Sequence, residues 1–497
     1  METQIPYSIF FTFLCFLFVI HKLSTSKKSL KTLPPGPRKL PLIGNLHQIG
    51  SQPHRSFRNL ANKYGPLMHL QLGQTSLFIV SSPEVAKEVM KTQDVIFANR
   101  PTCFASETLA YNSTDIAFSP HGNYWRQLRK ICTLELLSLK RVQTFRRIRE
   151  EEVFAFVKHI SEQSGSAVNL TRKIYPLTNS IVARAAFGRK TGNIEEIVPV
   201  IMSAVQITGG LSIADVCPSL EFLRVISGAK DEAEKARKGI DVMLNTIIKD
   251  HLEKDGDVGE VEEDLVDVLL RVQKENDLEI PLTMDNIKAV ILDMFVGGTE
   301  TAATTIGWAM AEMIKNPQVM RKAQEEVRKV YGNKGYVDES ELHQLKYVSA
   351  IIRETLRLHP PVVLLLPRQN SEICHISGYE IPPKSTVIIN AWAIGRHPQY
   401  WNEAEKFQPE RFIDSSSSVD FKGTNFEFIP FGAGRRICPG MSFATPVLEL
   451  IAGNLLYHFD WKLPKEEKRE DLDMTEIFGA AVRRKNDLCL VPIAYRP

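Results

Sequence analysis

The sequence contains no CxxC pair, no CxxCH run and no HExxH. A cysteine zinc finger, a covalently attached c-type haem and a zincin protease are therefore excluded. The cysteines (Cys15, Cys103, Cys132, Cys217, Cys374, Cys438 and Cys489) are odd in number and scattered. Such spacing is no disulfide framework and points to a reducing compartment. Excess charge is also missing: 61 Lys and Arg against 58 Asp and Glu leave +3, which offers no nucleic-acid signal. There is no internal repeat. With 43% hydrophobic and 24% charged residues over 497 positions, the chain is neither disordered nor a polytopic membrane protein.

Acidic residues are absent from Thr3 to Pro83, where nine basic residues stand: Lys22, Lys27, Lys28, Lys31, Arg38, Lys39, Arg55, Arg58 and Lys63. Within this stretch Ile5–Leu23 is almost unbroken apolar sequence, long enough as a helix to span a bilayer core. A cleaved signal peptide is the rival reading, but the run is preceded by Glu2 rather than a basic segment, and no small-x-small site follows. The lysines after the run place the body on the cytosolic side of the membrane, single-pass. Pro34, Pro35 and Pro37 then end any helix. The expected organisation is an anchor over 1–23, a basic, Pro-rich linker over 24–40 and one catalytic domain over 41–497.

The body reads as mainly α with small β-sheets. Helical periodicity covers Pro83–Thr92, Leu139–Ile160, Asp231–Lys254, Thr283–Ile314, Asn316–Tyr331, Tyr347–Leu358 and Phe443–Tyr457. Short β-like runs occur at Leu67–Leu72, Ser76–Val80, Thr386–Asn390 and Leu488–Pro492, and the acidic stretch Lys254–Asp264 reads as a solvated loop.

The most specific chemical signal is Phe431-Gly432-Ala433-Gly434-Arg435-Arg436-Ile437-Cys438-Pro439-Gly440. Its glycines permit a tight turn and close approach to a flat ligand, Arg436 is placed to meet a carboxylate, and a following helix N-terminus would favour a thiolate at Cys438. The run resembles the FxxGxRxCxG haem-binding loop of the cytochrome P450 family. That resemblance implies the cytochrome P450 fold and haem b held by Cys438 as axial ligand of the iron, with Phe431, Gly432 and Gly440 shaping the loop.

Other motifs agree. Glu354 and Arg357 lie one helical turn apart in IIRETLRLHPP, and Arg411 lies in PERF. By the resemblance these three form a buried structural network. Gly297-Gly298-Thr299-Glu300-Thr301-Ala302 interrupts an apolar helix with two glycines that cost about 1 kcal/mol each relative to Ala. Room for a ligand or close helix packing would offset that cost. The segment resembles the family's (A/G)GxxT oxygen-activation motif, with Gly297 where Ala is frequent and Ala302 where Thr or Ser is frequent. The catalytic residues implied are Thr301 and Glu300, as proton donors. Trp125 and Arg129 resemble the WxxxR helix that meets a haem propionate, with Arg368 and Arg436 as further partners. Arg126, Lys130, Lys140 and Arg141 are either a solvated face or a docking patch for an acidic flavoprotein reductase.

The resemblance covers essentially the whole chain. PPGPRKLPLIGNLHQ, DIAFSPHGNYWRQLRKICTLELLS and DLDMTEIFGAAVRRKNDLCLVP are similar to the plant subfamily containing premnaspirodiene oxygenase and limonene hydroxylases. It implies a monooxygenase using O2 and electrons from NADPH through NADPH-cytochrome P450 reductase, with cytochrome b5 as an optional second partner. A small hydrophobic substrate is expected, foremost a terpenoid, with an alkaloid or flavonoid as the alternative. Val296, Gly297, Ala302, Val362, Val363, Leu366, Phe478 and Gly479 are the implied pocket walls, along the helix face that also carries Asp293.

Overall fold

The computed structural model describes residues 33–188, 213–217, 228–253, 263–275, 277–413, 419–464 and 467–495, with 11–14, 16, 17 and 219 besides. The expected anchor, the acidic loop at 254–264 and the apolar stretch Val200–Phe222 fall largely outside the described residues. Among the described residues no helix is long and apolar enough to cross a membrane.

The chain is mainly helical. The helices used below are α1 (Pro53–Tyr64), α2 (Pro83–Lys87), α3 (Phe104–Leu109), α4 (Asn123–Ile131), α5 (Leu139–Thr144), α6 (Arg146–Ser161), α7 (Leu170–Phe187), α8 (Ala229–Glu253), α9 (Leu265–Glu275), α10 (Met284–Lys315), α11 (Pro317–Tyr331), α12 (Lys346–Leu358) and α13 (Met441–His458). Where one helix was expected over Leu139–Ile160, the structure has two. Phe145 leaves helical geometry (φ −81°, ψ 2°) and turns its buried ring against Phe443. Packing overrides the local periodicity there. Likewise, the Pro83–Thr92 segment is α2 followed by a π-helical turn, Glu88–Thr92.

The 32 residues of α10 run about 48 Å at the α-helical rise of ~1.5 Å per residue. A capping box starts it: Asn286 N donates to Thr283 Oγ1 (3.2 Å), and Thr283 N donates to Asn286 Oδ1 (2.9 Å). Asn316, held out of helical geometry by the following Pro317, ends it. It is apolar on most sides because α7, α9, α11, α12 and α13 all pack on it. The largest core cluster joins it to α6, α7, α11, α12 and α13 through Ile160, Ile181, Ile306, Met310, Val327, Ile351 and Ile451.

Four small sheets sit around the helices. The largest is ordered β1 (Leu67–Leu72), β2 (Thr75–Val80), β7 (Thr386–Ile389), β4 (Arg368–Gln369). β1/β2 and β4/β7 are antiparallel and β2/β7 is parallel, with Ile79 opposite Ile388. β3 (Val168–Asn169), β11 (Cys489–Ala494) and β8 (Phe459–Lys462) form a second sheet; β5 (Cys374–Ile376) pairs with β6 (Tyr379–Ile381), and β9 (Glu476–Ile477) with β10 (Arg483–Arg484). β4 and β9 carry or adjoin residues of the candidate site.

Candidate haem-thiolate site

The loop before α13 folds back on itself: Cys438 N donates to Phe431 O (2.9 Å). Gly434 has φ +69°, and a Cβ there would lie 2.1 Å from Met90 O, so only glycine fits. The Cys438 thiol sits at the N-terminus of α13. Burial pushes its pKa up, and the N–H groups of Gly440 and Met441 and the charge of Arg129 act against that. A coordinated metal would hold it deprotonated.

On α10, Gly297 and Thr301 lie four residues apart on one face, and Thr301 Oγ1 donates to Gly297 O (2.7 Å). The two adjacent glycines serve different ends. A Cβ at Gly297 would meet nothing within 4 Å, whereas one at Gly298 would lie 2.8 Å from Val182 Cγ2 on α7. One glycine keeps a space open beside Thr301, and the other allows two helices to touch. Glu300, next to Thr301 and 7% exposed, is held at about 7 by burial, opposed only by the charge of Arg483. It therefore carries a transferable proton near neutrality.

Whether these residues suit an iron porphyrin is decided by charge. Arg368 and Arg436 are both buried, as is Arg100, which sequence reasoning missed. Burial, then repulsion from Arg436 and Arg368, drives the Arg100 pKa well down; burial and Arg368 bring Arg436 to about 9. Their hydrogen bonds go mostly to carbonyl oxygens. Arg100 uses Ala117 O (2.9 Å), Leu366 O (2.9 Å) and Pro367 O (2.7 Å); Arg436 uses Ala98 O (2.8 Å), Ile116 O (3.3 Å) and Ser119 O. Arg368 meets Asp94 Oδ1 (3.0 Å) and Ala433 O (2.8 Å). Arg129 lies close enough to Cys438 for its field to be felt there. A buried group of guanidiniums short of counter-charge suits a ligand with two carboxylates, such as haem.

Within the protein, the Arg436 guanidinium donates only to backbone carbonyls. The indole Nε1 of Trp125 donates to Ile116 O (3.0 Å), and Arg436 Cζ lies 4.1 Å from its ring centroid, a cation–π contact. Asp94, also missed, accepts from Arg368 and from the backbone N of Arg435 (2.8 Å), tying the loop to the end of the π-helical turn. Its role is invisible in sequence because its partners lie more than two hundred residues away.

Glu354, Arg357 and Arg411 come together as expected. Arg357 holds Glu354 through Nε–Oε2 (2.6 Å) and NH2–Oε1 (2.7 Å), and Arg411 Nε donates to Glu354 Oε1 (3.1 Å). The remaining Arg357 donors reach Gly395 O, Ala404 O and Lys406 O at 2.7–3.0 Å. Glu354 and Arg357 are fully buried, and the network locks the segment before the haem loop onto α12.

Of the expected pocket walls, Ala302 and Val363 are buried, Ala302 clustering with Ala303 and Ile306, Val363 with Phe57 and Trp392. Ala302 lies about 100° around the helix from Thr301, which turns it away from the open face. Phe478 stacks on His54 (6.1 Å), while Val296, Val362, Leu366 and Gly479 are half-buried. In the basic patch, Arg126, Lys130 and Lys140 are exposed, but Arg141 is engaged by Glu263 O (3.0 Å) and Glu135 O (3.2 Å).

The comparisons with known proteins agree with this geometry. Residues 34–490 match the family model described as Cytochrome P450. The chain is 55% identical to Cytochrome P450 71D10 of Glycine max, covering 99% of this chain and 97% of the relative. It is 51% identical to tabersonine 16-hydroxylase 1 of Catharanthus roseus (98% of both chains) and 48% identical to premnaspirodiene oxygenase of Hyoscyamus muticus (98% of both). A zebrafish cytochrome P450 solved with abiraterone shares the fold, with TM-score 0.77 over 90% of this chain and 100% of that one at 24% identity. With the cysteine loop, the acid–alcohol pair on α10 and the buried arginines already in place, these matches show that the chain belongs to the cytochrome P450 family and is a haem-thiolate monooxygenase supplied with electrons by a reductase.

Proposed function

We propose that the protein hydroxylates a hydrophobic plant terpenoid, using O2 and electrons from NADPH through NADPH-cytochrome P450 reductase. The observation that carries this reading is the open space at Gly297 beside the Thr301 hydroxyl, which offers room to a substrate. Val296, Val362 and Leu366 add an apolar lining. An alkaloid is the second reading, favoured by the 51% identity to tabersonine 16-hydroxylase 1 against 48% to premnaspirodiene oxygenase.

The chain's own residues divide the work. Cys438 would supply the thiolate that holds the haem iron. Arg129, Arg368, Arg436 and Arg100, with Trp125 beneath Arg436, would hold the propionates. Bound haem supplies oxygen activation, to which thiolate donation contributes electron density. Thr301 holds a proton on the open face, and Glu300, titrating at about 7, replenishes it. Arg126, Lys130 and Lys140 face the reductase, and cytochrome b5 is an optional second donor. Residues 1–23 anchor the protein in the endoplasmic reticulum membrane with the body on the cytosolic side.

Microsomes carrying the protein, a reductase and NADPH would be offered terpene hydrocarbons, indole alkaloids and flavonoids, with products identified by mass. A terpene gaining one oxygen supports the reading; turnover of only alkaloids or flavonoids replaces it. Reduced protein with carbon monoxide should show the red-shifted thiolate Soret band, and a histidine-type band would remove Cys438 from its role.

A further inference from the structure

Asp293 precedes Gly297 by four residues and Thr301 by eight, so the three share one stripe of α10. Asp293 is half-buried and is tied to the neighbouring loop. Its Oδ2 accepts the N–H groups of Ile116 (2.8 Å) and Ala117 (3.1 Å), in the loop between α3 and α4. The adjacent Asp115 is 1% exposed. Its Oδ1 accepts the Phe118 N–H (3.0 Å), while its Oδ2 finds no donor among the described residues. The two carboxyl groups lie within hydrogen-bond reach of each other. Ionised carboxylates only accept, and two of them facing each other in a buried site repel unless a proton lies between.

This loop seats much of the haem-side machinery. Ile116 O accepts from Trp125 Nε1 and from Arg436, Ala117 O accepts from Arg100 Nε, and Ser119 O accepts from Arg436. We propose that Asp115 and Asp293 share one proton, and that this proton clamps the loop onto α10 and so fixes the seats of Trp125, Arg100 and Arg436. The clamp is independent of which substrate the enzyme takes.

Among the described residues no donor reaches Asp115 Oδ2. Arg100 and Arg436 favour an ionised Asp115, but the hydrogen bonds they make go to carbonyl oxygens and none reaches its carboxylate. From α4, the Tyr124 hydroxyl donates to Thr114 O (2.6 Å), and its pKa is raised by burial and by both aspartates. The buried Cys132 thiol is pushed up by burial and by Asp293, so it stays neutral. Burial lifts Asp115 to about 6, and burial together with the Asp115 charge lifts Asp293 well above the ordinary range. The pair therefore keeps a proton to higher pH than ordinary carboxyls do, and loses it as pH rises. The unfolded carboxyls titrate near ~3.9. The stability linked to this proton is fully present below that value and is lost as pH climbs through the raised folded values.

Hydrogen exchange at the Ile116 and Ala117 amides reads the clamp directly in full-length, haem-loaded protein in lipid nanodiscs. Rates are divided by the intrinsic rate at each pH. Wild-type protection should be high at low pH and fall roughly tenfold or more once the pH is high enough to remove the shared proton. In Asp293→Asn, the amide can donate to Asp115 while its oxygen still accepts from the loop, so protection should not change with pH; Asp115→Asn should behave alike. In the wild-type-minus-variant infrared difference spectrum, which cancels the Glu300 contribution, both variants should show the loss of one carboxylic-acid carbonyl stretch. Wild-type protection that does not vary with pH overturns the proposal even if neither variant folds, as does a difference spectrum in which no carboxylic-acid band is lost.

Discussion

The glycine pair on α10 makes a sharp test, because two chemically identical substitutions one residue apart should have opposite signs. Ala gains about 1 kcal/mol over Gly in a helix interior. At Gly297 nothing lies within 4 Å of the added methyl, so Gly297→Ala should be stabilising by roughly that amount. At Gly298 the methyl would stand 2.8 Å from Val182 Cγ2, well inside contact distance. Overpacking a core costs about 1–3 kcal/mol, and subtracting the helix gain of ~1 kcal/mol leaves about 0–2 kcal/mol of destabilisation. The two variants should therefore differ by about 1–3 kcal/mol, read as the urea concentration that halves the thiolate carbon monoxide band. Gly297→Ala should also change product yield or coupling, because its methyl enters the space beside Thr301. Adding Val182→Ala should recover part of the loss in Gly298→Ala but do nothing for Gly297→Ala. Equal stability of the two single variants would refute the division of labour between the glycines.

Four other outcomes are expected. Thr301→Ala should uncouple NADPH consumption from product and release peroxide, while Thr301→Ser keeps most coupling; unchanged coupling in the alanine variant would remove the hydroxyl from proton delivery. Because Glu300 is held at about 7, its acid form is present below that pH and lost above it. The rate should therefore fall through a limb near pH 7 that Glu300→Gln abolishes, and a profile identical in both proteins counts against the relay. Glu354→Ala leaves Arg357 buried without its partner, a cost of about 3–5 kcal/mol, so haem-loaded protein should scarcely accumulate; normal yield would contradict a structural network. Deleting residues 1–23 should release the protein from membranes with its carbon monoxide spectrum intact, whereas loss of haem would make that segment part of the fold.

Much of the chemistry lies in short windows of sequence. Cys438 with its flanking glycines, the Glu354–Arg357 turn and the Gly297–Thr301 run are each set by spacing along one loop or helix, where local geometry decides which atoms meet. Mainly helical architecture was legible for the same reason, since periodicity marks a buried face.

What spacing cannot supply is the partner of a group whose partner lies elsewhere in the chain. Periodicity made Leu139–Ile160 one helix, and the contact of Phe145 with Phe443 broke it. Gly297 and Gly298 look interchangeable in sequence; only the position of Val182 separates an opening from a helix contact. Ala302 and Val363 read as pocket walls, yet a turn of about 100° per residue and the packing of neighbouring elements bury them in core. Arg100, Asp94 and the Asp115–Asp293 pair carry no local signature. A buried charge is defined by the low-dielectric space around it, and that space exists only once distant segments have closed over it. The sequence by itself determined the cysteine loop, the Glu354–Arg357 turn and the acid–alcohol pair; tertiary structure decided what each faces and which buried charges are left short of partners.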